Sequence, residues 1–95
     1  MHKFIIFGNY TDKGIKDIKD SPARLASAKE LAKEFDGKIS SFYLTLGHYD
    51  IFLISEFPSD EKAARFTIKL GSLGNVRTTT LKAFTEEEYK SITER

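Results

Sequence analysis

The sequence has no cysteine and almost no net charge, and each absence excludes a class of protein. Without cysteine among its 95 residues, the chain cannot form a disulfide framework, a thiolate zinc site, an iron–sulfur cluster or a cysteine nucleophile. Its 15 basic residues are balanced by 14 acidic residues, which leaves a net charge of +1. A protein that binds nucleic acid by neutralising phosphates is normally far more basic, so we expect no nucleic-acid partner.

Long apolar runs are also missing. The two longest, residues 4–7 and 51–54, are far too short to cross a bilayer, and there is no segment of signal-peptide type. We therefore expect a cytoplasmic protein with no membrane partner. The length fits a single domain, which we expect to span residues 1–95.

Four short segments rich in β-branched and aromatic residues are predicted as strands. They are residues 2–7, 38–45, 50–57 and 75–83. Gly8-Asn9 is expected to stop the first strand. The short gap between the second and third strands, residues 46–49, predicts an antiparallel hairpin.

Three helices are predicted between and after these strands. Ser21-Pro22 is a strong start signal with Ser21 as the cap, and Ser59 and Thr85 are expected to cap the other two helices. Glu88 completes a capping box with Thr85. The first of these helices has an apolar stripe at spacings of three and four residues, made of Leu25, Ala28, Leu31, Ala32 and Phe35.

The order of elements predicts an α+β fold. A β-α-β-β-α-β order with a C-terminal helix is the ferredoxin-like arrangement, a four-stranded antiparallel sheet with both long helices on one face. A short turn before the first long helix is expected to pack Ile15 and Ile18 on the apolar side of that helix. Gly37 is expected to end the helix in the left-handed conformation.

The predicted strands are apolar on both faces, although the uncovered face of such a sheet is normally polar at alternate positions. The alternating sets are Phe4 and Ile6 against Ile5 and Phe7 in the first strand, Phe42 and Leu44 against Ile39 and Tyr43 in the second, and Ile51, Leu53 and Phe57 against Phe52 and Ile54 in the third. A second copy packed face to face would bury this surface. We therefore expect a homodimer or a higher homo-oligomer.

Several local strings resemble one known family along almost the whole chain. They are Asn9-Tyr10-Thr11-Asp12, Lys19-Asp20-Ser21-Pro22, Phe42-Tyr43-Leu44-Thr45, Gly47-His48-Tyr49-Asp50, Gly71-Ser72-Leu73-Gly74-Asn75-Val76-Arg77-Thr78 and Ala83-Phe84-Thr85-Glu86-Glu87. Together they resemble the GYD domain family of small bacterial and archaeal proteins. The resemblance implies a dimeric α+β barrel and no settled reaction. A similar hairpin is present in the ligand-sensing domains of leucine-responsive-type transcription regulators, whose DNA-binding domain has no counterpart in these 95 residues.

The glycine-tyrosine-aspartate hairpin has a structural and a functional interpretation. Structurally, Gly47 supplies a positive φ, Asp50 accepts backbone N–H bonds at the turn, and Tyr49 packs its ring with its hydroxyl in water. Functionally, Tyr49 or Asp50 orients a ligand at the barrel mouth, and His48 titrates near neutrality or acts as a general base. Turn chemistry favours the structural interpretation.

Other ligand-binding candidates surround the expected barrel. Asn9, Tyr10 and Asp12 follow the first strand and Arg24 begins the first long helix. A polar cluster at such a place suits an anion or a carbonyl, although loop and cap chemistry also explains it. Tyr43 needs a hydrogen-bond partner if it is buried. Thr79 offers a hydroxyl on the fourth strand, where threonine is also a good strand former. The expected pocket has an aromatic wall of Phe4, Phe42 or Phe52.

No nucleophile–base pair, phosphate loop or dinucleotide fingerprint is present, and nothing near His48 supports a metal site, so we expect no cofactor and no metal. The leading hypothesis is a small homo-oligomeric barrel protein that binds a small molecule in or near the barrel. One alternative is a cofactor-independent enzyme of the monooxygenase or isomerase type found on similar barrels, with Tyr43, His48 or Tyr49 as acid or base. The other is a non-catalytic regulatory protein that binds another chain.

Overall fold

The computed structural model describes residues 1–94. In chain order its elements are β1 (His2–Tyr10), α1 (Asp12–Lys16), α2 (Ser21–Glu34), β2 (Lys38–Leu44), β3 (Ile51–Phe57), α3 (Asp60–Ser72), β4 (Val76–Ala83) and α4 (Glu86–Thr93), with a 3₁₀ turn at Ile18–Asp20. Within the described residues, no helix has both the length and the apolar character needed to cross a membrane.

The four strands form one antiparallel sheet in the order β2-β3-β1-β4, with α2 and α3 packed on one face. This is the ferredoxin-like α+β arrangement that the order of elements predicts. We call the face under α2 and α3 the covered face; its side chains include Phe4, Ile6, Phe42, Ile51, Leu53, Ser55 and Phe57. We call the opposite face the open face; its side chains include Ile5, Phe7, Asn9, Tyr43, Phe52, Ile54, Thr79 and Leu81.

The core lies between the covered face and the two long helices. Phe57 and Phe66 are fully buried, with their ring centroids 5.1 Å apart. Ala32 and Ala63 are buried at the helix–sheet contact, where their small side chains let the helices approach the strands. Ser55 is the buried polar residue of this layer, and its hydroxyl donates to a carbonyl oxygen of β1 at 3.2 Å, which avoids the cost of an unpaired polar group.

Strand β1 runs three residues beyond its predicted end, because Gly8 packs within the sheet instead of forming a turn. Gly8 is buried, and a Cβ at this position would lie 2.8 Å from Cγ1 of Ile51 on the neighbouring strand. The prediction that Asn9 and Tyr10 follow the strand is therefore wrong. Both lie inside it, with Tyr10 paired to Val76 of β4.

The start of α2 also differs from the prediction. The 3₁₀ turn continues directly into the helix, so Ser21 is already helical at φ −55° and ψ −43°, and Asp20 precedes it without a side-chain capping bond. Ile15 and Ile18 do not extend the apolar stripe, since their side chains are 53% and 38% exposed. Gly14 instead is buried against the loop before β4, which turns the neighbouring Ile15 outward.

Two further local predictions are wrong. Asp36, with φ 62°, takes the left-handed conformation expected of Gly37. Gly37 is needed for space, because a Cβ there would overlap the Phe57 ring. A register shift in β2 between Ile39 and Ser41 places Ile39 against the core together with Phe42, although strict alternation predicts opposite faces.

The predicted caps of α3 and α4 are confirmed. The hydroxyl of Ser59 accepts from the backbone N–H of Lys62 at 3.2 Å. Thr85 and Glu88 exchange two bonds, with the Glu88 N–H donating to the Thr85 hydroxyl at 3.1 Å and the Thr85 N–H donating to the Glu88 carboxylate at 2.8 Å. The bond from the Thr85 N–H to the carboxylate, followed by the interaction with the Thr85 hydroxyl, holds the pKa of the Glu88 carboxyl below its usual range.

Candidate functional site

Four aromatic rings form a continuous row across the open face. Phe7 lies in the middle, with its ring centroid 4.7 Å from that of Tyr49 and 5.3 Å from that of Phe52. Tyr43 extends the row beyond Phe52, at 6.0 Å between centroids. We call these four residues the aromatic row. Its members come from three strands and the β2–β3 hairpin, so the fold brings together side chains that are up to 45 positions apart in the sequence.

Strand register assembles the row. Phe52 of β3 lies directly opposite Phe7 of β1 and directly opposite Tyr43 of β2. Directly paired side chains on one face of an antiparallel sheet are close enough to interact. Tyr43 is 55% exposed. The predicted need of a buried hydroxyl for a hydrogen-bond partner therefore does not arise.

The glycine-tyrosine-aspartate hairpin fastens β3 to the end of β1. Gly47 has φ 123°, the positive φ that its place in the turn predicts. Asp50 donates its N–H to the Gly8 carbonyl at 2.9 Å, and its carboxylate accepts the Tyr10 N–H at 2.9 Å. Asp50 thus accepts a backbone bond as predicted, but from β1 and not from its own turn. The bond extends β1–β3 pairing beyond the last residues of the ladder.

Polar residues of β1 and β4 lie beside the aromatic row on the open face. Thr79 is paired with Phe7, and Arg77 is paired with Asn9. The Arg77 side chain forms no ion pair within residues 1–94. Asn9, Thr79 and Arg77 therefore offer amide, hydroxyl and guanidinium groups next to an aromatic surface.

The far end of the open face carries a small ionic network. The carboxylate of Glu56 accepts the Ser40 hydroxyl at 2.9 Å and lies 3.7 Å from the Lys3 ammonium and 3.6 Å from the Lys38 ammonium. The hydrogen bond from Ser40, followed by the two lysine charges, holds the pKa of the Glu56 carboxyl below its usual range. The end of the open face at Glu56 is therefore ionic, whereas the aromatic row crosses the strands further along.

A groove of about 470 Å³ opens on the opposite side of the sheet, between α2, the end of α3 and the start of β4. We call it the α2 groove. Its lining is mostly apolar and comprises Tyr10, Asp20, Ser21, Ala23, Arg24, Leu25, Ser27, Ala28, Phe42, Ile51, Leu53, Leu70, Leu73, Asn75 and Val76. The sequence predicts an anion or carbonyl site that includes Tyr10 and Arg24, and both residues line this groove. Its apolar part is not predicted, and the run of small residues in the first half of α2 is the one signal that could have indicated it.

Backbone carbonyl groups fix the position of Arg24 in the lining of this groove. One guanidinium nitrogen donates to the carbonyl of Asp17 at 2.9 Å and the other to the carbonyl of Gly14 at 3.0 Å. Both acceptors precede α2, so the side chain is held back across the start of the helix. No carboxylate of residues 1–94 forms an ion pair with Arg24.

The predicted site residues separate into three groups. Asn9, Tyr43, Tyr49 and Thr79 share the open face. Tyr10 lines the α2 groove. His48 is exposed at the hairpin, while Asp50 sits between the two sides as a structural tie.

The expected aromatic wall of Phe4, Phe42 or Phe52 does not form a single surface. Phe4 and Phe42 pack on the covered face, whereas Phe52 lies on the open face. Phe42 and Leu53 are paired in the β2–β3 register, and both line the α2 groove. Of these three alternatives, Phe42 lines the α2 groove and Phe52 belongs to the aromatic row.

Comparison with known proteins identifies the family. The GYD domain model matches residues 4–93. A relative from Thermus thermophilus, named glutamine synthetase and cystathionine beta-lyase binding protein, is 32% identical over 84 residues, which is 87% of this chain and 88% of the relative.

Solved structures with the same fold include regulatory proteins. A feast or famine regulatory protein of Mycobacterium tuberculosis, complexed with L-methionine, superposes with a TM-score of 0.68 at 19% identity, over 90% of this chain and 51% of that one. The corresponding values for E. coli AsnC are 0.62, 23%, 90% and 52%. This chain spans about half the length of these regulators, and at such identities the likeness shows the fold alone. The GYD domain model, in contrast, matches nearly the whole length of this chain. This chain therefore belongs to the GYD domain family.

Proposed function

We propose that this protein is a small homo-oligomeric binding protein, which holds a small molecule in or near its assembled barrel. The observation that supports this best is the aromatic row. Its rings are in contact with each other, yet Tyr43 remains more than half exposed in a single chain. Two copies packed open face to open face would remove this surface from water, at about 25 cal/mol for each Å² of apolar area buried.

The groups beside the aromatic row suit a small partly polar ligand. Binding sites for small molecules combine apolar and aromatic walls with a few polar groups that set orientation. Asn9, Thr79 and Arg77 are such groups on the open face. We place Tyr43 and Tyr49 in the wall of the same site and His48 at its rim.

Asp50 and Tyr10 support the site by position. The bond from the Tyr10 N–H to the Asp50 carboxylate fixes the hairpin to β1, and so holds the Tyr49 ring against Phe7. Asp50 therefore acts through Tyr49 and not by touching a ligand on the open face.

The alternative of an enzyme has less support. An acid–base pair needs two groups within hydrogen-bond reach of each other or of a common reacting atom. Tyr43 extends from β2 and His48 from the exposed hairpin, and no hydrogen bond joins their side chains. Nothing in the described part of the chain aligns either group with a nucleophile.

A regulatory interaction protein is the second candidate, because of the Thermus thermophilus relative. That relative is named for binding glutamine synthetase and cystathionine beta-lyase, and the 32% identity extends over most of both chains. The candidate predicts that this protein binds the glutamine synthetase or the cystathionine beta-lyase of its own organism. Biolayer interferometry with the two purified enzymes tests it, and the lack of binding to both would dismiss it.

Native mass spectrometry of the purified protein tests the main proposal. We expect a mass of at least two chains of 10.8 kDa each, plus a small mass that remains with the assembly and is released on denaturation. A small-molecule screen by thermal shift extends the test if the bound molecule is lost during purification. A single folded chain that binds none of the screened molecules would contradict the proposal.

A further inference from the structure

We propose that the α2 groove binds a small apolar monocarboxylate, with the carboxylate of the ligand on Arg24 and its apolar body on the groove floor. The inference goes beyond the proposed function, because it gives the chain a second binding place, with its own ligand class, besides the site proposed on the open face. That place is on the helix-covered side of the sheet, away from the aromatic row.

The groove has the size and lining of a small-molecule site. Its volume of about 470 Å³ lies within the range of roughly 300–1,000 Å³ that is typical of such sites. Ile51 and Leu53 of β3 form the floor, and both are almost completely buried. On α2 the lining residues Ala23 and Ser27 are small, so the helix leaves this space open where larger side chains would fill it.

Arg24 supplies the polar end of the site. A guanidinium group has five N–H donors, and the bonds to the Asp17 and Gly14 carbonyls use two of them. The other three have no hydrogen-bond partner within residues 1–94. An arginine that is fixed by neutral carbonyls and lacks a carboxylate partner is prepared to bind a planar carboxylate through two parallel bonds.

Neighbouring charges restrict the ligand to one negative charge. Lys13 is held beside the groove by a bond from its ammonium to the carbonyl of Leu73 at 3.1 Å, and Leu73 is a lining residue. Its charge adds to that of Arg24. Asp20 lines the same groove and repels further negative charge, so a dianionic phosphate or a dicarboxylate fits less well than a monocarboxylate.

Isothermal titration calorimetry with phenylbutanoate, phenylbutanamide and phenylbutylamine tests the ligand class. We expect the carboxylate to bind at least about tenfold more tightly than the neutral amide, since a charge-assisted bond contributes roughly 1.5–3 kcal/mol, and we expect no binding of the amine. Arg24→Gln should weaken phenylbutanoate binding at least about tenfold. Asp20→Asn should tighten it about two- to threefold, because one exposed repulsive charge is removed.

A matched pair of variants on α2 tests the place. Ala23→Phe puts a large ring into the groove, whereas Ala26→Phe puts the same ring on the same helix outside the α2 groove lining. Both positions are exposed, so both variants should fold. We expect loss of phenylbutanoate binding in the first variant only, with the oligomeric mass unchanged in both.

Four results would overturn the inference. Equal binding of phenylbutanoate and its amide would remove the role of Arg24, and equal binding by the two phenylalanine variants would place the ligand elsewhere. Tighter binding of L-phenylalanine, weakened by Asp20→Asn, would replace the monocarboxylate by a zwitterion. If no probe binds while native mass spectrometry still finds a co-purified small molecule, the ligand class falls and the proposed function stands.

Discussion

Both faces of the sheet carry large apolar side chains, but α2 and α3 cover only one of them. On the covered face, Phe4, Ile6 and Phe57 are at most 5% exposed. On the open face, Ile54 is half-buried by its neighbours in the sheet alone, and Leu81 is 51% exposed. A single chain therefore buries the apolar side chains of only one face of its sheet. The apolar side chains of the open face are suited to contact with another surface, which a single chain does not provide.

The two faces also differ in how they use polar groups. The covered face has one buried polar side chain, Ser55, which is paired with a backbone carbonyl. The open face has the Glu56 network at one end and Asn9, Arg77 and Thr79 at the other. An interface between proteins commonly has an apolar centre and a polar rim, and the open face follows that arrangement.

The largest expected effect comes from removing a side chain from the core beneath the two long helices. Phe57→Ala removes a fully buried ring that packs against Phe4 and Phe66, so the free energy of unfolding should fall by about 3–5 kcal/mol. Urea denaturation measures the loss. Leu46→Ala is the control, because that side chain is completely exposed, and its effect should stay within about 0.5 kcal/mol. Similar small effects at both positions would contradict the assignment of the core.

A pair of glycine substitutions compares a crowded position with an open one. Gly37→Ala pushes a methyl group against the Phe57 ring and to 2.5 Å from the Glu56 carbonyl, and should cost about 1–3 kcal/mol. Gly71→Ala in α3 meets nothing within 4 Å, and should raise stability by up to about 1 kcal/mol. Thermal denaturation of both variants measures the difference. A stabilised Gly37→Ala variant would contradict this account, because it would mean that the chain after α2 moves away from the Phe57 ring at little cost.

The hairpin that carries Tyr49 of the aromatic row contains Gly47 at a positive φ. Gly47→Ala forces a side chain into φ 123° and should cost about 1 kcal/mol or more, although the added methyl group would meet no neighbour. Chemical denaturation checks the stability. An unchanged stability would mean that the turn adopts another conformation at little cost.

The smallest expected effect is on the pH dependence of stability, through Glu56. The pKa of the Glu56 carboxyl is lowered in the folded protein, so its ionised form contributes stability that is fully present above the ordinary carboxyl pKa. This contribution is lost as the pH falls through the lowered folded-state pKa. Glu56→Gln should therefore reduce stability at neutral pH and flatten its decline in acid. Melting temperatures of both proteins between neutral and acidic pH test this, and parallel curves would contradict it.

The sequence predicts the fold well because its strongest signals are local. Thr85 and Glu88 form the predicted capping box, and the alternation of Phe4 and Ile6 against Ile5 and Phe7 gives the two faces of β1. Alternation is symmetric, however, and does not say which face the helices cover. Packing decides that, since Ala32 of α2 and Ala63 and Phe66 of α3 pack on the side that carries Phe4.

The predictions that were wrong or incomplete depend on contacts between residues far apart in the sequence. Gly8-Asn9 has the composition of a turn but lies in β1. Gly8 is needed there because the side chain of Ile51, which is far away in the sequence but on the neighbouring strand, occupies the space beside it. Ile39 changes face because of an irregularity in strand pairing. The α2 groove depends on the space left between α2 and α3, which residues such as Ala23 suggest but no local pattern measures.

Sedimentation equilibrium of three proteins tests most directly that a second copy covers the open face. The unmodified chain should have a mass of at least two chains at micromolar concentration. Phe52→Asp places a charge in the aromatic row and should dissociate or unfold the assembly, whereas Leu46→Asp, at the completely exposed hairpin position, should keep its mass. A stably folded, unmodified protein that sediments as one chain of 10.8 kDa would contradict the account.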